Sequence, residues 1–185
     1  AGVILASKWL NGQLRERVTG FDVFEATLNF LNEMGGGRVF FLGSTPEVLE
    51  KVSAQFANDY PNLDIAGTYS PPFKPEFDEA DNRAMIEAIN SAKADVLWVG
   101  MTAPKQEKWL AEHIPSLEVR FAGAIGAVFD FYAGTVKRSP AIFQRLGLEW
   151  IPRLIREPRR LWRRNFVSTP LFLFAVLKAR LSGSR

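Results

Sequence analysis

The chain has 185 residues, 47% of them hydrophobic and 23% charged. This is enough for one domain with a well-packed core, with or without an appendage, and two full domains are not expected. It contains no cysteine and a single histidine, which excludes disulfides, thiol nucleophiles and histidine-based metal clusters. The net charge of +3 is unevenly spread: nine Lys or Arg face one acid from Trp150 onward, and 14 face 19 acids before it. Such a basic C-terminal segment favours an anionic partner, such as lipid headgroups, a diphosphate or nucleic acid.

The first part of the chain predicts two helices. Residues 2–10 are apolar with a helical pattern, and residues 14–19 are expected to be extended. Apolar residues then recur at spacings of four and three, which predicts an amphipathic helix over residues 22–34 with Asp22 as its cap. Three glycines at residues 35–37 end that helix.

The next stretch reads as a strand followed by a helix. Residues 39–42 form a continuous apolar run, which is typical of a strand covered on both faces, and Gly43 ends it. Ser44 or Thr45 can cap the following helix, which Pro46 starts.

The same alternation continues to residue 92. Residues 63–66 predict a short strand that ends at Gly67. The segment at residues 69–77 is too rich in proline to be a helix or a central strand, and it can form a lid. Residues 81–92 then predict another amphipathic helix.

A strand, a glycine turn and a helix start follow in immediate succession. Residues 96–99 predict a buried strand that ends at Gly100, and Pro104 opens a helix that runs to residue 114. Helix N-termini attract anions, and Lys105 and Gln106 stand beside these amides, so we expect a phosphate here. The alternative is an ordinary connection with a solvated polar face.

A fourth strand is predicted at residues 119–122, before the glycine-rich stretch that contains Gly126. Strands that alternate with helices indicate an α/β fold, a mostly parallel Rossmann-like sheet with helices on both faces. Ligands of such sheets bind at the carboxyl ends of the strands. The dinucleotide fingerprint G-x-G-x-x-G and the Walker phosphate loop are absent, which argues against dehydrogenases and ATPases.

The residue composition changes in the C-terminal part of the chain. We interpret residues 150–185 as a basic helical appendage, distinct from a domain over residues 1–149. Six arginines alternate with tryptophans and aliphatic residues between residues 150 and 164. The apolar run at residues 171–177 is too short to span a bilayer but can lie in its surface. The alternative is a helix that packs on the core with a solvated arginine face. We expect neither a signal peptide nor a spanning helix.

Four stretches stand out as motifs: RERVTGFDVF (residues 15–24), VGMTAPKQEKWL (99–110), GAVFDFYAGTVKRSP (126–140) and GLEWIPRLIREPRRLWRR (147–164). In this order they resemble the WecG/TagA/CpsF glycosyltransferases. The resemblance implies an inverting transferase that moves an N-acetylmannosamine-type sugar, or a related hexose, from a UDP-sugar to an undecaprenyl-diphosphate-linked sugar. It implies bacterial cell-surface polysaccharide or teichoic acid synthesis, with no metal and no cofactor.

The resemblance also implies the roles of individual residues. Arg17, Gln106 and Asp130 match polar positions of the family's pocket, where they would hold phosphate or sugar groups. The alternatives are a surface ion pair, a helix-face amide and a helix cap, respectively. We expect further substrate contacts from two groups, the strand-end residues and the appendage arginines: Gly43, Gly100, Lys105, Gly126, Arg153, Arg160 and Arg163. The family's general base is an aspartate that would precede Ala1, so we assign no base within the chain.

The expected partners are a UDP-sugar donor, a lipid-diphosphate acceptor and an anionic membrane surface, with nucleic acid not expected and a homo-oligomer left open. The expected location is cytoplasmic, on the inner face of the bacterial plasma membrane. The competing hypothesis is a non-catalytic module that binds anionic lipid or nucleic acid through the basic segment. Four glycine-bearing strand ends favour the enzyme, because a pure binder has no need for them.

Overall fold

The computed structural model describes residues 2–14, 18–136 and 164–182. The chain divides into two compact units, and each is described by itself. One unit is Val18–Lys137, and the other combines Ala1–Arg17 with Arg138–Arg185.

The unit Val18–Lys137 is built on a parallel sheet. Its strands, in chain order, are β1 (Arg38–Leu42), β2 (Asp64–Tyr69), β3 (Val96–Val99) and β4 (Phe121–Ala124). The spatial order is β2-β1-β3-β4, and every neighbouring pair is parallel. This confirms the predicted α/β class.

Helices cover both faces of this sheet. They are α2 (Gly20–Glu33), α3 (Pro46–Asp59), α4 (Glu79–Ser91), α5 (Lys105–His113) and the short α6 (Val128–Tyr132), with a 3₁₀ turn at Ile114–Ser116. Successive strand residues point to opposite faces, so Phe41 and Trp98 pack with α2, α3 and α6. Phe40 and Leu97 pack with α4 and α5 instead. The two faces form two separate apolar cores.

Two helices begin earlier than the sequence predicted, because each carries a capping box. The Thr19 hydroxyl accepts a hydrogen bond from the Asp22 amide, and the Asp22 carboxylate accepts one from the Thr19 amide at 2.6 Å. Asp22 is therefore the third helical residue and not the cap, which corrects the prediction. At the start of α4, Asp78 and Asp81 repeat the arrangement.

Two strands are shifted from their predicted positions, and glycines explain both shifts. Gly67 does not end β2 but lies inside it, paired with Phe40 of β1. A Cβ on Gly67 would lie only 2.8 Å from the Phe40 ring, so this strand position needs glycine. In β4, Gly123 pairs with Trp98 and leaves room for its indole ring. These glycines admit large aromatic neighbours, so a search for apolar runs places the strand ends wrongly.

The second unit contains α1 (Gly2–Trp9), a π-helical turn (Arg164–Ser168) and α7 (Thr169–Ser182). The prediction of a helix near the start is confirmed, whereas residues 15–17 of the expected extended segment lie outside the described residues. Most of the basic stretch, at residues 150–163, also lies outside them. Within the described ranges, no helix combines the length and apolar character needed to cross a bilayer.

Candidate functional site

The carboxyl ends of β1 and β3 lie side by side at the point where the strand order reverses. The Gly100 amide donates a hydrogen bond to the Leu42 carbonyl at 2.8 Å. Gly43 adopts a φ of 110°, and a Cβ there would lie 2.8 Å from the Gly100 carbonyl oxygen. This approach of two backbones needs glycine, and it opens the crevice where ligands of such sheets bind.

Gln106 lies between the turn after β3 and the turn after β4. Its side chain is only 3% exposed, the one buried polar side chain among the described residues. Its Oε1 accepts a hydrogen bond from the Met101 amide at 3.1 Å, and its Nε2 donates to Glu107 at 2.9 Å. The same Nε2 lies 3.3 Å from where a Cβ on Gly126 would stand. Gln106 is thus a buried connector and not a solvated helix-face amide.

Two of the first helical amides after β3 are already bonded within the chain, and a phosphate at this helix start stays a prediction. The amides of Lys105 and Gln106 both donate to the Thr102 carbonyl, at 2.9 and 3.3 Å. Pro104 occupies the cap position and not the first helical position. This helix start therefore satisfies two of its own donors.

The other long helices at this edge are closed in a similar way. At the start of α3, the Thr45 hydroxyl accepts from the Val48 amide at 3.4 Å. At the same terminus, hydrogen bonds from Thr45 and from its own backbone amide lower the pKa of Glu47. Since α2 is closed by its capping box, a diphosphate would have to be neutralised mainly by side-chain cations.

Lys105 is engaged with the proline-rich loop. Its Nζ donates to the Lys74 carbonyl at 2.5 Å and lies 3.3 Å from the centroid of the Phe77 ring. Burial is the largest influence on this ammonium and lowers its pKa, which Asp81 partly opposes. A direct substrate contact by Lys105 stays a prediction.

Asp130 lies in the first turn of α6, beside the same turns. The preceding residue, Phe129, is fully buried and fills the space next to Gly100. Burial raises the pKa of the Asp130 carboxyl, and a hydrogen bond from Thr135 opposes that shift. The Thr135 hydroxyl donates to the Asp130 carbonyl at 3.0 Å and lies 3.5 Å from Oδ1. Ala127, not Asp130, occupies the cap position of the helix.

The start of α2 also reaches this edge. A Cβ on Gly20 would lie 3.7 Å from Ile125 and 3.6 Å from Val128. Gly20, in the described part of that motif, therefore lies beside the turn after β4. Arg17 itself lies outside the described residues, as do Arg153, Arg160 and Arg163.

Sequence reasoning missed three participants of this site. Thr102 closes the start of α5 through its carbonyl, Glu107 accepts from Gln106, and Thr135 contacts Asp130. Glu107 lies within the PKQE motif, so its motif could have pointed to it. A backbone carbonyl and a turn threonine leave no such signal in a single sequence. His113 lies at the far end of α5, with its ring centroid 5.1 Å from that of Trp109.

Comparison with known proteins identifies a family that this chain matches. The sequence model of the glycosyl transferase WecG/TagA/CpsF family matches residues 1–185. The chain is similar to the N-acetylglucosaminyldiphosphoundecaprenol N-acetyl-beta-D-mannosaminyltransferases of Bacillus subtilis, Bacillus spizizenii and Staphylococcus aureus, with 33%, 33% and 30% identity. The matches cover 96%, 100% and 97% of this chain and 66%, 68% and 67% of those proteins. The chain thus spans about two thirds of the length of these curated relatives.

Proposed function

The chain belongs to the glycosyl transferase WecG/TagA/CpsF family, and on that premise we propose that it transfers an N-acetylmannosamine-type sugar, or a related hexose, from a UDP-sugar to an undecaprenyl-diphosphate-linked sugar. The relatives' names specify that sugar and that kind of acceptor. The reaction inverts the anomeric centre and serves bacterial cell-surface polysaccharide or teichoic acid synthesis.

The observation that carries the proposal is the convergence of three turns at the switch point. Gly43 and Gly100 meet through their backbones, and Gly126 lies against the buried Gln106. This arrangement supports a crevice with a rigid floor, and UDP bound there would place its sugar near Asp130. A carboxylate is an acceptor for sugar hydroxyl groups, so Asp130 would orient the donor sugar or the acceptor.

The charge that develops on the leaving UDP must be neutralised by cations. At the starts of α2, α3 and α5 some amides already bond within the chain, which leaves fewer of them for the diphosphate. We assign this role to the guanidinium groups of Arg17, Arg153, Arg160 and Arg163, because guanidinium binds phosphate oxygens in pairs. We assign no general base to this chain.

We further propose that residues 150–185 form an appendage that holds the enzyme on the inner face of the bacterial plasma membrane. The support comes from α7, where large apolar side chains are exposed: Leu171, Leu173, Phe174, Leu177 and Leu181. The arginines of residues 153–164 would attract an anionic leaflet, at about 1 kcal/mol for each one near the surface. Co-sedimentation with anionic liposomes should therefore weaken as salt rises, and binding that ignores salt would contradict this proposal.

A transfer assay tests the function directly. The full-length protein is incubated with UDP-N-acetylmannosamine and an N-acetylglucosaminyl-diphospholipid, and both the disaccharide lipid and released UDP are measured. We expect product only when both substrates are present, with UDP-N-acetylglucosamine as the control donor. UDP should also bind in titration calorimetry. Absence of transfer together with absence of UDP binding at millimolar concentration would overturn the proposal.

A further inference from the structure

The proline-rich loop at residues 70–78 runs from the end of β2 to the start of α4, and it is tied down at both ends. The Ser70 hydroxyl donates to the Ser44 carbonyl at 2.8 Å, which fixes the beginning of the loop to the turn after β1. Lys74 pairs with Asp78 at 2.8 Å and with Asp81, which fixes its second half to α4. Prolines at three positions restrict the backbone between these ties.

Lys105 supplies a third tie, from the start of α5. Its ammonium donates to the Lys74 carbonyl at 2.5 Å and stands over the Phe77 ring, 3.3 Å from the centroid. Phe77 in turn packs against the apolar core on the α4 and α5 face of the sheet. One side chain thus joins two points of the loop to the helix that follows β3.

These contacts place the loop along the edge where the substrates are proposed to bind. Ser44 directly follows Gly43, and Lys105 directly precedes the buried Gln106. The loop therefore links the turns after β1 and β3, the two strands at the switch point. At its tip, the Phe73 side chain is fully exposed.

We propose that Lys105 is a positioning residue, whose ammonium fixes the proline-rich loop as a rigid rim of the substrate crevice. Its effect on catalysis rests on the proposed function, whereas its effect on the loop does not. In this role the Lys105 ammonium contacts the Lys74 carbonyl and the Phe77 ring, both of which belong to the loop. The rim is an alternative to the predicted lid, because it is already in place before substrate binds.

Chymotrypsin provides a local readout of the loop, because it cleaves after Phe73 only when the neighbouring backbone opens. We expect Lys105→Met to raise the cleavage rate at Phe73 by about fivefold or more, since both contacts of the ammonium are lost. Lys105→Arg keeps a cation and a donor, so it should restore most of the protection. Lys108→Met, an exposed lysine on the same helix, is the matched control and should cleave like the wild type.

Kinetics test the positioning role separately. Lys105→Met should raise KM for donor or acceptor about fivefold while kcat changes by less than about threefold, with recovery in Lys105→Arg. Unchanged cleavage in Lys105→Met would overturn the tie itself. Faster cleavage with unchanged KM would overturn the rim as part of the crevice. If the wild type transfers no sugar, the proposed function fails, and the cleavage rates still decide whether Lys105 holds the loop.

Discussion

The turn after β1 and the turn after β3 lie next to each other, yet each closes its following helix by different means. After β1 the closure is local, because Thr45 and Glu47 use their own side chains within one turn of helix. After β3 the closure uses the Thr102 carbonyl, and the buried Gln106 side chain reaches back to the Met101 amide. The closure after β1 is exposed to solvent, whereas the Gln106 side chain that takes part in the closure after β3 is buried.

This difference indicates which turn is the more sensitive part of the site. An exposed cap can be replaced by water at modest cost, whereas a buried amide that loses its partner bears the full desolvation penalty. The turn after β3 also contacts the turn after β4 through Gln106 and Gly126. Changes at β3 should therefore reach the whole crevice, and changes at β1 should stay local, except where the two backbones touch.

The largest effect is expected where they touch. Gly43→Ala combines a positive φ with a Cβ only 2.8 Å from the Gly100 carbonyl oxygen, so it should lower the free energy of unfolding by about 3 kcal/mol. Gly35→Ala is the matched control, because Gly35 has a φ of 89° and nothing within 4 Å of the place where a Cβ would stand. Gly35→Ala should lower the free energy of unfolding by about 1 kcal/mol, because only the backbone strain remains. Urea unfolding of both variants isolates the close approach, and equal losses would contradict it.

Gln106→Ala should have the next largest effect. It leaves the Met101 amide without its partner and opens a cavity, so we expect a loss of about 2 kcal/mol in the free energy of unfolding. Turnover should fall about tenfold or more, since the turns after β3 and β4 lose their connection. Gln55→Ala on α3, where the side chain is exposed, is the control and should change stability by less than about 0.5 kcal/mol. A Gln106 variant with normal stability and turnover would refute the connector role.

Asp130→Asn should lower turnover about tenfold, equivalent to about 1.4 kcal/mol, while leaving the fold intact. Because burial raises the pKa of this carboxyl, the folded protein favours its protonated form. The favourable contribution is complete below the ordinary pKa of 3.8 and is lost as pH rises through the raised value. The amide in the variant stays neutral at every pH, so the variant's Tm should equal or exceed that of the wild type at pH 7, with the advantage shrinking towards pH 4.

The control for this pair of effects is Asp64→Asn, at an exposed position at the start of β2. Its turnover should stay within about twofold of the wild type, because surface substitutions away from the site are usually nearly neutral. A loss of Tm in Asp130→Asn at pH 7 would show that the ionised carboxylate stabilises the fold, against the direction argued from its burial.

Local rules were enough to predict much of this fold. The alternation of apolar runs and amphipathic stretches predicted the parallel sheet with helices on both faces, and Thr45 before Pro46 was correctly expected as one of two caps. The strand limits were wrong where a ring from the neighbouring strand decides the position. Phe40 against Gly67 and Trp98 against Gly123 depend on sheet register, which a single sequence does not reveal.

The candidate site, like the fold, could be predicted from the sequence only in part. Gly43 and Gly100 could be placed at strand ends because each follows a short apolar run. The contact between Lys105 and the Lys74 carbonyl joins residues 31 positions apart, and no local pattern indicates it. The sequence indicates a phosphate site at the start of α5, but it does not show that Thr102 already accepts from two of the amides there. A single sequence shows which residues can bind a ligand but not which are already satisfied by the chain.

The smallest effect is expected at the exposed cap. Thr45→Ala removes the acceptor for the Val48 amide and the donor to Glu47, and should cost about 1 kcal/mol in urea unfolding. Thr45→Ser keeps the hydroxyl and should lose less than half of that. Since water can reach these groups, the turn after β3 should be unaffected, and turnover should stay within about twofold of the wild type. If Thr45→Ala were as damaging to stability and turnover as Gln106→Ala, the two turns would be coupled through more than their glycines, and the contrast between a local and a buried closure would fail.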